Sequence, residues 1–357
     1  MTSFSPAIPD EANLYQAYVQ GLKLYWKNEL YARVAAQARG MAADGAEALE
    51  RRMRDGSPDY RLYGWLERHL QQFKYVGRHG VLPVMAAQEP ALVGALDAAA
   101  RRHPQRLRLD PSLRLPDYFT ASDFHQHPGG IWSDDIDAFG YEWAAGAFSF
   151  SMLAADAPYR WLARHVVDRF GPRRAIDLGC GFGKLAIPLK QLDPRIEVTG
   201  VDLSAPLLRL AHLRALEAGL DITWLQADAE SVPLPDAHAD AVVSYWLLHE
   251  LPPAAIDGVL AESLRLLQPG GVFAALDMYT SPGGTVGEWL HLGHAARNNE
   301  PFLPGLLAVD VRARLRDAGF VDVQLVQSTS GEPVADDAPL ADTRTHTFTV
   351  VTGRRPA

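Results

Sequence analysis

The residues Ala175-Ile176-Asp177-Leu178-Gly179-Cys180-Gly181-Phe182-Gly183-Lys184 decide the fold. An apolar run that opens at Arg174 and ends in Asp177 is typical of a short buried strand. Glycines at alternate positions then let the backbone turn sharply and approach a ligand, because they carry no Cβ atom. Helical spacing from Lys184 onward predicts a helix N-terminus, whose free N–H groups favour a negatively charged ligand group. Lys184 also stands where a dinucleotide-binding G-x-G-x-x-G loop would have its last glycine.

Further strand signals follow the glycine loop in order. Residues 196–202 are predicted to form a second strand that ends in Asp202, whose carboxylate can accept hydrogen bonds from both ribose hydroxyls of a nucleoside. A third strand leads into 225–230, residues 240–245 are typical of a fourth strand, and the fifth is expected to follow a turn at 267–273. The segments 321–326 and 345–351 are joined without a helical pattern, so we expect them to pair antiparallel.

Helical patterns alternate with these strands, which implies a parallel sheet with helices on both faces. The predicted helices cover residues 184–192, 205–218, 253–267 and 309–318. Together, the loop and the ordered strands resemble the class I S-adenosylmethionine (SAM)-dependent methyltransferases. The resemblance covers about residues 173–353. It implies an α/β fold with a Rossmann-like, seven-stranded sheet whose last-inserted strand runs backwards, and SAM as the methyl donor.

Bulk composition limits the expected partners. The net charge is −9, and no run of Lys and Arg exceeds three residues, so we expect no nucleic-acid partner. No stretch approaches the ~20 apolar residues of a membrane span. The first residues show no basic segment followed by an apolar one, so we expect no signal peptide and a cytoplasmic location. A single cysteine excludes an internal disulfide and a thiolate metal cluster.

Residues 1–117 are predicted to form a mostly α-helical N-terminal domain. Apolar side chains recur there at helical spacing, over about 14–40, 42–54, 60–73 and 89–102. The motifs of this region point to no particular family. We expect it to serve as a lid over the pocket, as a dimerisation surface, or as both, so a homodimer through these helices remains open.

Residues 118–172 are predicted to connect the two domains across the pocket. The stretch 118–135 is dense in aromatic, histidine and acidic side chains, and 138–153 is again aromatic. In class I methyltransferases the segment before the first strand commonly lies across the SAM pocket. The resemblance therefore makes 118–153 the expected N-terminal contribution to the active site. Residues 173–357 would then form the SAM-binding, Rossmann-like catalytic domain.

The resemblance also assigns residues to the cofactor. Asp177 would support the glycine loop and the amino-acid end of SAM, Asp202 would bind the ribose, and an acid after the third strand would lie against the adenine amino group. Purely structural roles stay open, since Asp177 could cap the turn and Cys180 is most simply a small filler. The predicted cofactor residues are Asp177, Gly179, Gly181, Gly183, Asp202, Leu203, Asp228, Ala229 and Tyr245.

Methyl transfer from a sulfonium is an in-line displacement. Alignment alone can supply up to ~7–11 kcal/mol of barrier reduction, so a catalytic base is optional. His249 leaves the fourth strand where the acceptor should lie, and could either deprotonate the acceptor or only hydrogen-bond the loop. Trp246 and Tyr245 could form an aromatic wall beside the sulfonium, or simply pack. The predicted catalytic residues are His249, His127, His125 and Tyr141.

Two polar clusters are candidates for contact with the acceptor. His125 and His127 have acids nearby, but a metal-binding pair more often lies at i, i+4 on a helix. We therefore predict substrate contact or proton transfer for this pair, and no metal. His291 and His294 share one helical face in an insertion expected above the carboxyl ends of the strands. With Asn298 and Glu300 they form a second polar cluster that we expect to face the acceptor. The predicted substrate-binding residues are Trp246, Glu250, Tyr279, His291, His294 and Asn298.

The sequence as a whole predicts a SAM-dependent methyltransferase that acts on a small molecule, either a metabolite or a natural product. Ser244-Tyr245-Trp246-Leu247 stands where amino-methylating DNA enzymes carry Asn/Asp-Pro-Pro-Tyr/Phe. A water-excluding pocket could instead direct SAM's own amine or carboxylate onto its carbons, in a cyclase or lyase reaction that releases methylthioadenosine. A nicotinamide oxidoreductase, disfavoured by Lys184, and a catalytically silent SAM-binding subunit are the remaining alternatives.

Overall fold

The computed structural model describes residues 4–41, 45–145, 157–279, 284–327, 333–334 and 349–357. Several sequence predictions fall partly outside these residues. They are the start of the second predicted helix (42–44), the aromatic segment 148–153, the beginning of the insertion (280–283) and the first residues of the last predicted strand (345–348).

The described part of residues 10–102 is mostly helical, as predicted. It forms α1 (Asp10–Tyr25), a π-helical turn (Trp26–Leu30), α2 (Tyr31–Gly40), α3 (Ala46–Gly56), α4 (Pro58–Phe73), α5 (Val81–Ala86) and α6 (Glu89–Arg102). The π-helical turn interrupts what the pattern predicts as one helix over 14–40. Ser57 caps α4, because its hydroxyl accepts a hydrogen bond of 3.0 Å from the amide of Tyr60.

The connecting segment is partly helical and leads into residues 173–357, which are called the catalytic half of the chain below. Its helices are α7 (Asp117–Thr120), α8 (Asp135–Ala144) and α9 (Ala157–Phe170). The later helices are α10 (Ala186–Leu192), α11 (Ala205–Glu217), α12 (Pro253–Leu266), α13 (Gly284–Asn298), α14 (Leu303–Leu307) and α15 (Val311–Asp317). Helical spacing predicts α10, α11, α12 and α15 to within two residues at each end. No helix among the described residues is long and apolar enough to cross a membrane.

A mixed sheet organises the catalytic half. The strands in the described residues are β1 (Leu107–Arg108), β2 (Arg174–Leu178), β3 (Glu197–Asp202), β4 (Ile222–Gln226), β5 (Ala239–Tyr245), β6 (Leu267–Asp277), β7 (Val321–Gln327), β8 (Pro333–Val334) and β9 (Thr349–Arg354). Their order in the sheet is β1-β4-β3-β2-β5-β6-β9-β7-β8. The strands up to β6 pair in parallel, and β9 runs antiparallel to β6 and β7, which confirms the predicted methyltransferase sheet. The two-residue strands β1 and β8 extend the predicted seven strands at the edges.

The prediction of a turn at 267–273 is wrong in part, because β6 already begins at Leu267. Ala239 of β5 pairs with Leu267, whereas Ala241 pairs with Val272. The extra residues on β6 therefore form a bulge. The Pro-Gly-Gly signal marks an irregularity inside the strand and not its start.

The strand order reverses at β2, which lies between β3 and β5. Ligands of open parallel sheets bind beyond the carboxyl ends of the strands at such a switch point. The residues that follow β2, β3 and β5 therefore meet at one edge of the sheet.

The helical region shares its hydrophobic cores with the catalytic half. Helices α1 to α4 enclose a core that also contains Trp289 and Leu290 of α13. Helices α5, α6 and α8 pack against α11 through a second core. Helix α1 leaves Leu14 and Tyr18 exposed. Dimerisation through these helices, and the domain boundaries at 117 and 172, stay predictions.

Candidate active site

A cavity lies beyond the carboxyl ends of β2, β3 and β5. The open space in the cavity and in front of its mouth amounts to ≈ 1170 Å³. The cavity brings together most of the predicted cofactor and acceptor residues. The predicted residues that line it are His125, Tyr141, Asp177, Gly179, Gly181, Asp202, Leu203, Asp228, Ala229, Tyr245, Trp246, His249 and Glu250.

The glycine loop after β2 forms one wall. Gly179 and Gly181 have φ values of 68° and 52°, and a Cβ on Gly179 would lie 2.8 Å from Leu247 Cδ1. Asp177 lies beneath this loop, where its Oδ2 accepts the amide of Ala186 at 3.0 Å. Its Oδ1 is buried and has no partner among the described residues. Burial raises the pKa of Asp177 well above the ordinary value. This orphaned oxygen is available to a ligand ammonium group.

Asp202 joins the ends of β2 and β3. Its Oδ2 accepts the amide of Gly181 at 2.8 Å, and its Oδ1 accepts the amide of Ser204 at 2.8 Å. Each oxygen keeps a second lone pair, and the side chain lines the cavity. Burial raises the pKa of Asp202 in spite of these two hydrogen bonds.

The floor of the cavity after β3 and β4 is formed by Leu203, Asp228 and Ala229. Asp228 Oδ1 accepts the amide of Glu230 at 2.9 Å, which holds the turn in place. An acidic group, an apolar side chain and Ala229 thus surround one pocket, a combination that suits a nucleobase with an exocyclic amine.

Aromatic side chains also line the cavity. Tyr245 and Trp246 stack with ring centroids 4.7 Å apart, and the left-handed φ of 53° at Trp246 turns the chain at the end of β5. Tyr141 of α8 lies across the cavity, with the Lys184 Nζ 5.4 Å from its ring. Burial lowers the pKa of Lys184 to about 8. The described part of the predicted 118–153 segment therefore does contribute to the cavity, through Tyr141 and His125 among others.

Two histidines and a carboxylate meet on the cavity surface. His125 Nε2 lies 2.9 Å from Glu250 Oε1, and His249 Nε2 lies 3.3 Å from the same oxygen. Burial opposes protonation of His125, but Glu250 and Glu300 outweigh it and raise its pKa to about 9. Burial likewise opposes protonation of His249, whose pKa is nevertheless raised well above its ordinary value by Asp277 and Glu250. Burial disfavours the Glu250 anion too, yet the two imidazoles lower its pKa to about 2.

A second layer of charges supports this cluster from behind. Glu300 Oε1 lies 3.2 Å from His125 Nδ1 and 3.5 Å from His294 Nε2. His294 Nδ1 lies 2.7 Å from Glu67 Oε1 on α4, and Arg297 pairs with the other Glu67 oxygen. His294 and Asn298 therefore do not line the cavity as predicted. His294 links α13 to Glu67 of α4, and Asn298 Nδ2 donates to His294 O at 3.0 Å.

The other predicted residues also lie outside the cavity lining. His127 is fully buried against Tyr75, with ring centroids 4.5 Å apart, and burial lowers its pKa to about 4. Tyr279 is a core residue whose hydroxyl donates to Ala275 O at 2.8 Å. His291 lies on α13, partly exposed. Gly183 packs on β4, where a Cβ would lie 2.9 Å from Trp224 Cη2.

Sequence reasoning missed two supporting acids, Asp277 and Glu67, and two aromatic residues. Asp277 ends β6 at the same edge where Asp177 and Asp202 end or follow their strands, so its position in the strand could have identified it. Phe119 and Phe124 line the cavity and lie in the aromatic segment without having been singled out. Glu67 acts through partners distant in sequence, and no local pattern indicates it. Glu300 belongs to a polar cluster that the sequence predicts to face the acceptor, and in the structure it lies behind His125.

These features fit SAM. The buried Asp177 Oδ1 can accept a hydrogen bond from the ammonium group of SAM. Asp202 can accept hydrogen bonds from the ribose hydroxyls, and Asp228 can accept one from the adenine amine. The Cβ-free loop lets the ligand approach the backbone at Gly179 and Gly181. The aromatic wall of Tyr141, Tyr245 and Trp246 suits a sulfonium cation.

Comparison with known proteins agrees with this geometry. The family described as "Methyltransferase domain" matches residues 175–271. A demethylmenaquinone methyltransferase of Thermus thermophilus is 35% identical over 160 residues, which cover 44% of this chain and 70% of the relative. A ubiquinone/menaquinone biosynthesis C-methyltransferase of Desulfotalea psychrophila is 32% identical over 186 residues, covering 46% of this chain and 73% of the relative.

Among solved structures, a phosphoethanolamine N-methyltransferase 2 of Haemonchus contortus in complex with SAM matches with a TM-score of 0.44 and 19% identity, over 63% of this chain and 58% of that one. That level of similarity supports no conclusion about the substrate or the reaction. The two sequence relatives, however, match over more than two thirds of their own length. SAM is thus the methyl donor of this enzyme, and the chain belongs to the class I SAM-dependent methyltransferases.

Proposed function

We propose that this enzyme transfers the methyl group of SAM to a small, largely apolar acceptor that carries an ionisable oxygen or an acidic carbon. The observation that supports the proposal is a single cavity whose lining includes Asp177, Asp202 and Asp228 together with His125, His249 and Glu250. A donor held by the three aspartates would share one enclosed space with an acceptor held against the histidines.

The character of the acceptor follows from the outer wall. Tyr118, Phe119 and Phe124 line the cavity next to His125. Tyr118 and Phe124 both pack against Phe302, with ring centroids 5.9 and 6.3 Å apart. Such a wall suits a flat apolar ring system. The relatives support this proposal, because demethylmenaquinone and 2-phytyl-1,4-naphtoquinone appear in their names.

SAM supplies an electrophilic methyl group on a sulfonium. The residues of this chain exclude water, align the acceptor and stabilise the charge that develops on it. The neighbouring carboxylates raise the pKa of His125 to about 9 and the pKa of His249 above its ordinary value, which favours the protonated imidazoles. They would then stabilise an acceptor oxyanion, and His249 would not act first as the base that its sequence position suggests.

The test is to incubate the full chain with SAM and a reduced 2-alkyl-1,4-naphthoquinone, then to quantify S-adenosylhomocysteine, methylthioadenosine and the methylated product by mass spectrometry. We expect S-adenosylhomocysteine and methylated product in equal amounts, and only when the acceptor is present. A panel of simple phenols and enolisable carbonyl compounds defines the acceptor range.

Two outcomes would overturn the proposal. Methylthioadenosine formed from SAM alone would show the cyclase or lyase route, which the relatives do not favour. Tight SAM binding without turnover of any small acceptor would favour a silent binding subunit. Asp221→Ala is the matched control for substitutions of the cavity aspartates. Asp221 precedes β4, at the end of the sheet away from the cavity, and pairs with Arg106.

A further inference from the structure

The cluster of His125, His249 and Glu250 has the composition and the spacing of a metal site. One atom from each residue can be chosen so that the three atoms all lie within 4.8 Å of one another. Bonds of ~2.1 Å to a common ion place neighbouring ligand atoms roughly 3.0–3.4 Å apart. The two observed contacts to Glu250 Oε1, 2.9 Å from His125 Nε2 and 3.3 Å from His249 Nε2, lie close to that range.

Both imidazoles are oriented by buried carboxylates on their other nitrogen. His249 Nδ1 lies 2.8 Å from Asp277 Oδ1, and His125 Nδ1 lies 3.2 Å from Glu300 Oε1. The side chains of Asp277 and Glu300 are only 1% and 3% exposed. A carboxylate behind each metal-binding histidine is the usual second layer of a metal site, because it fixes the tautomer that leaves Nε2 free to coordinate. Here Nε2 of both histidines faces Glu250.

The supporting carboxylates are themselves held firmly. Asp277 Oδ2 accepts the amides of Leu248 at 2.8 Å and His249 at 3.3 Å, and its Oδ1 accepts the amide of Met278 at 2.7 Å. These bonds fix the His249 ring relative to the ends of β5 and β6. An oriented ring of this kind needs little rearrangement to bind an ion.

The backbone at His125 is strained in the direction that brings its ring to the cluster. His125 has φ 54° and ψ 27°, and Gln126 also has a positive φ, of 60°. Side chains other than glycine seldom adopt this region, and such strain concentrates at functional sites. Two contacts hold the turn: Gln126 Nε2 donates to Arg297 O at 3.1 Å, and Asn299 Nδ2 donates to Asp123 O at 2.8 Å.

Unsatisfied carboxylate oxygens in the cluster favour the binding of a cation. Glu250 Oε2 and Glu300 Oε2 are buried and have no partner within the described ranges. Three carboxylates, from Asp277, Glu250 and Glu300, surround two imidazoles. Without an ion, two N–H groups must share one Glu250 oxygen while its other oxygen stays unsatisfied.

We propose that His125, His249 and Glu250 bind a divalent first-row transition-metal ion such as Fe²⁺, Co²⁺ or Zn²⁺. Two imidazole nitrogens and one carboxylate oxygen select these ions over Mg²⁺ and Ca²⁺, which prefer oxygen ligands. Three protein ligands leave coordination positions open, and the cluster lines the cavity. An ionisable oxygen of the acceptor would occupy one of them, and this last step rests on the proposed function. Metal binding itself does not.

The experiment uses the full chain after removal of metals with a chelator. Co²⁺ is added stepwise while its visible absorption is followed, and binding of Zn²⁺ is measured by calorimetry. We expect one ion per chain and a Co²⁺ spectrum of low coordination number. Glu250→Gln and His125→Ala should each weaken binding by about tenfold or more, and Glu300→Gln, which removes an orienting carboxylate, by about ten- to a hundredfold.

A matched control separates this site from adventitious binding to surface histidines. His69→Ala removes an exposed histidine that stacks on Trp65, and it should leave Co²⁺ binding unchanged. Calorimetry with SAM on the same samples reports on the cofactor site independently and shows that the variants are folded. Absence of stoichiometric Co²⁺ and Zn²⁺ binding in SAM-binding protein overturns the metal inference alone, as does equal binding in wild type and Glu250→Gln. Stoichiometric metal binding in protein that does not bind SAM would instead contradict the function proposed above.

Discussion

Asp202 Oδ2 accepts a hydrogen bond of 2.8 Å from the amide of Gly181. One carboxylate at the end of β3 thereby fixes the curve of the backbone that follows β2. The sequence assigns two features to SAM binding, an acid and a glycine loop, and this hydrogen bond joins them directly. A change at Asp202 affects both the ribose contact and the shape of the loop.

Asp202→Ala should weaken SAM binding strongly. Hydrogen bonds to a charged group each contribute about 1.5–3 kcal/mol, so loss of even one ribose contact predicts roughly 10- to 150-fold weaker binding. Titration calorimetry on the purified variant measures the change. Asp202→Asn keeps an acceptor oxygen and should lose less. SAM binding that is unchanged in Asp202→Ala would move the ribose elsewhere.

Asp177 should make SAM binding depend on pH. Burial raises its pKa well above the ordinary value in the protein without ligand, whereas a bound ammonium group would stabilise the anion and lower it again. Binding therefore releases a proton, and affinity should fall as the pH drops below the raised pKa, by up to about tenfold per pH unit. Calorimetry in buffers of different ionisation enthalpy detects the released proton.

Asp177→Asn is the diagnostic variant for that pH dependence. The amide cannot ionise, so most of the slope should disappear, while Asp202, whose pKa is also raised, should retain a smaller one. An undiminished slope in Asp177→Asn would assign the proton to another group.

The succession of strands along the chain could be predicted from the sequence, but the roles of the three loop glycines could not. Alternate glycines indicate a close approach of backbone to something, without saying whether that is a ligand or a neighbouring side chain. In the structure Gly179 and Gly181 line the cavity, whereas Gly183 has Trp224 of β4 against it. Trp224 lies far along the chain, and only the pairing of β3 with β4 brings its ring beneath the loop.

Gly183→Ala should therefore destabilise the fold and not merely the ligand site. Gly183 has φ +90°, and a Cβ would lie 2.9 Å from Trp224 Cη2 and 3.0 Å from Ile187 Cδ1. The backbone strain and the steric overlap together predict a loss of about 2–4 kcal/mol in the free energy of unfolding. Urea unfolding without SAM measures it.

Two other glycines calibrate that measurement. Gly219 has φ +68° with nothing within 4 Å of a Cβ, so Gly219→Ala should show the backbone strain alone. Gly94 lies inside α6 with open space around it, and Gly94→Ala should stabilise the protein by about 0.4–1 kcal/mol. Equal losses in Gly183→Ala and Gly219→Ala would rule out the Trp224 contact as a constraint.

The histidines show where local patterns stop being informative. His125 and His127 are two residues apart, and in an extended chain they would share a face. The left-handed turn at His125 and Gln126 breaks that relation, so His125 reaches the cavity while His127 points into the core beside Tyr75. His291 and His294 are predicted to share a helical face towards the acceptor, but His294 meets Glu67 of α4. A partner more than two hundred residues away in sequence leaves no local signal.

The pair of Glu67 and Arg297 should be a main stabilising contact between the helical region and the catalytic half. The Glu67 side chain is only 3% exposed; its Oε1 lies 2.7 Å from His294 Nδ1, and its Oε2 pairs with Arg297. Arg297→Met would leave the buried carboxylate with one partner and should cost about 3–5 kcal/mol. Adding Glu67→Leu should restore much of that loss, because no buried charge then remains unpaired. Urea unfolding of the wild type, both single variants and the double variant yields the coupling energy.

Arg195→Met, at an exposed ion pair with Asp193, should change the free energy of unfolding little. Losses that simply add in the double variant would mean that the two charges do not hold α4 and α13 together.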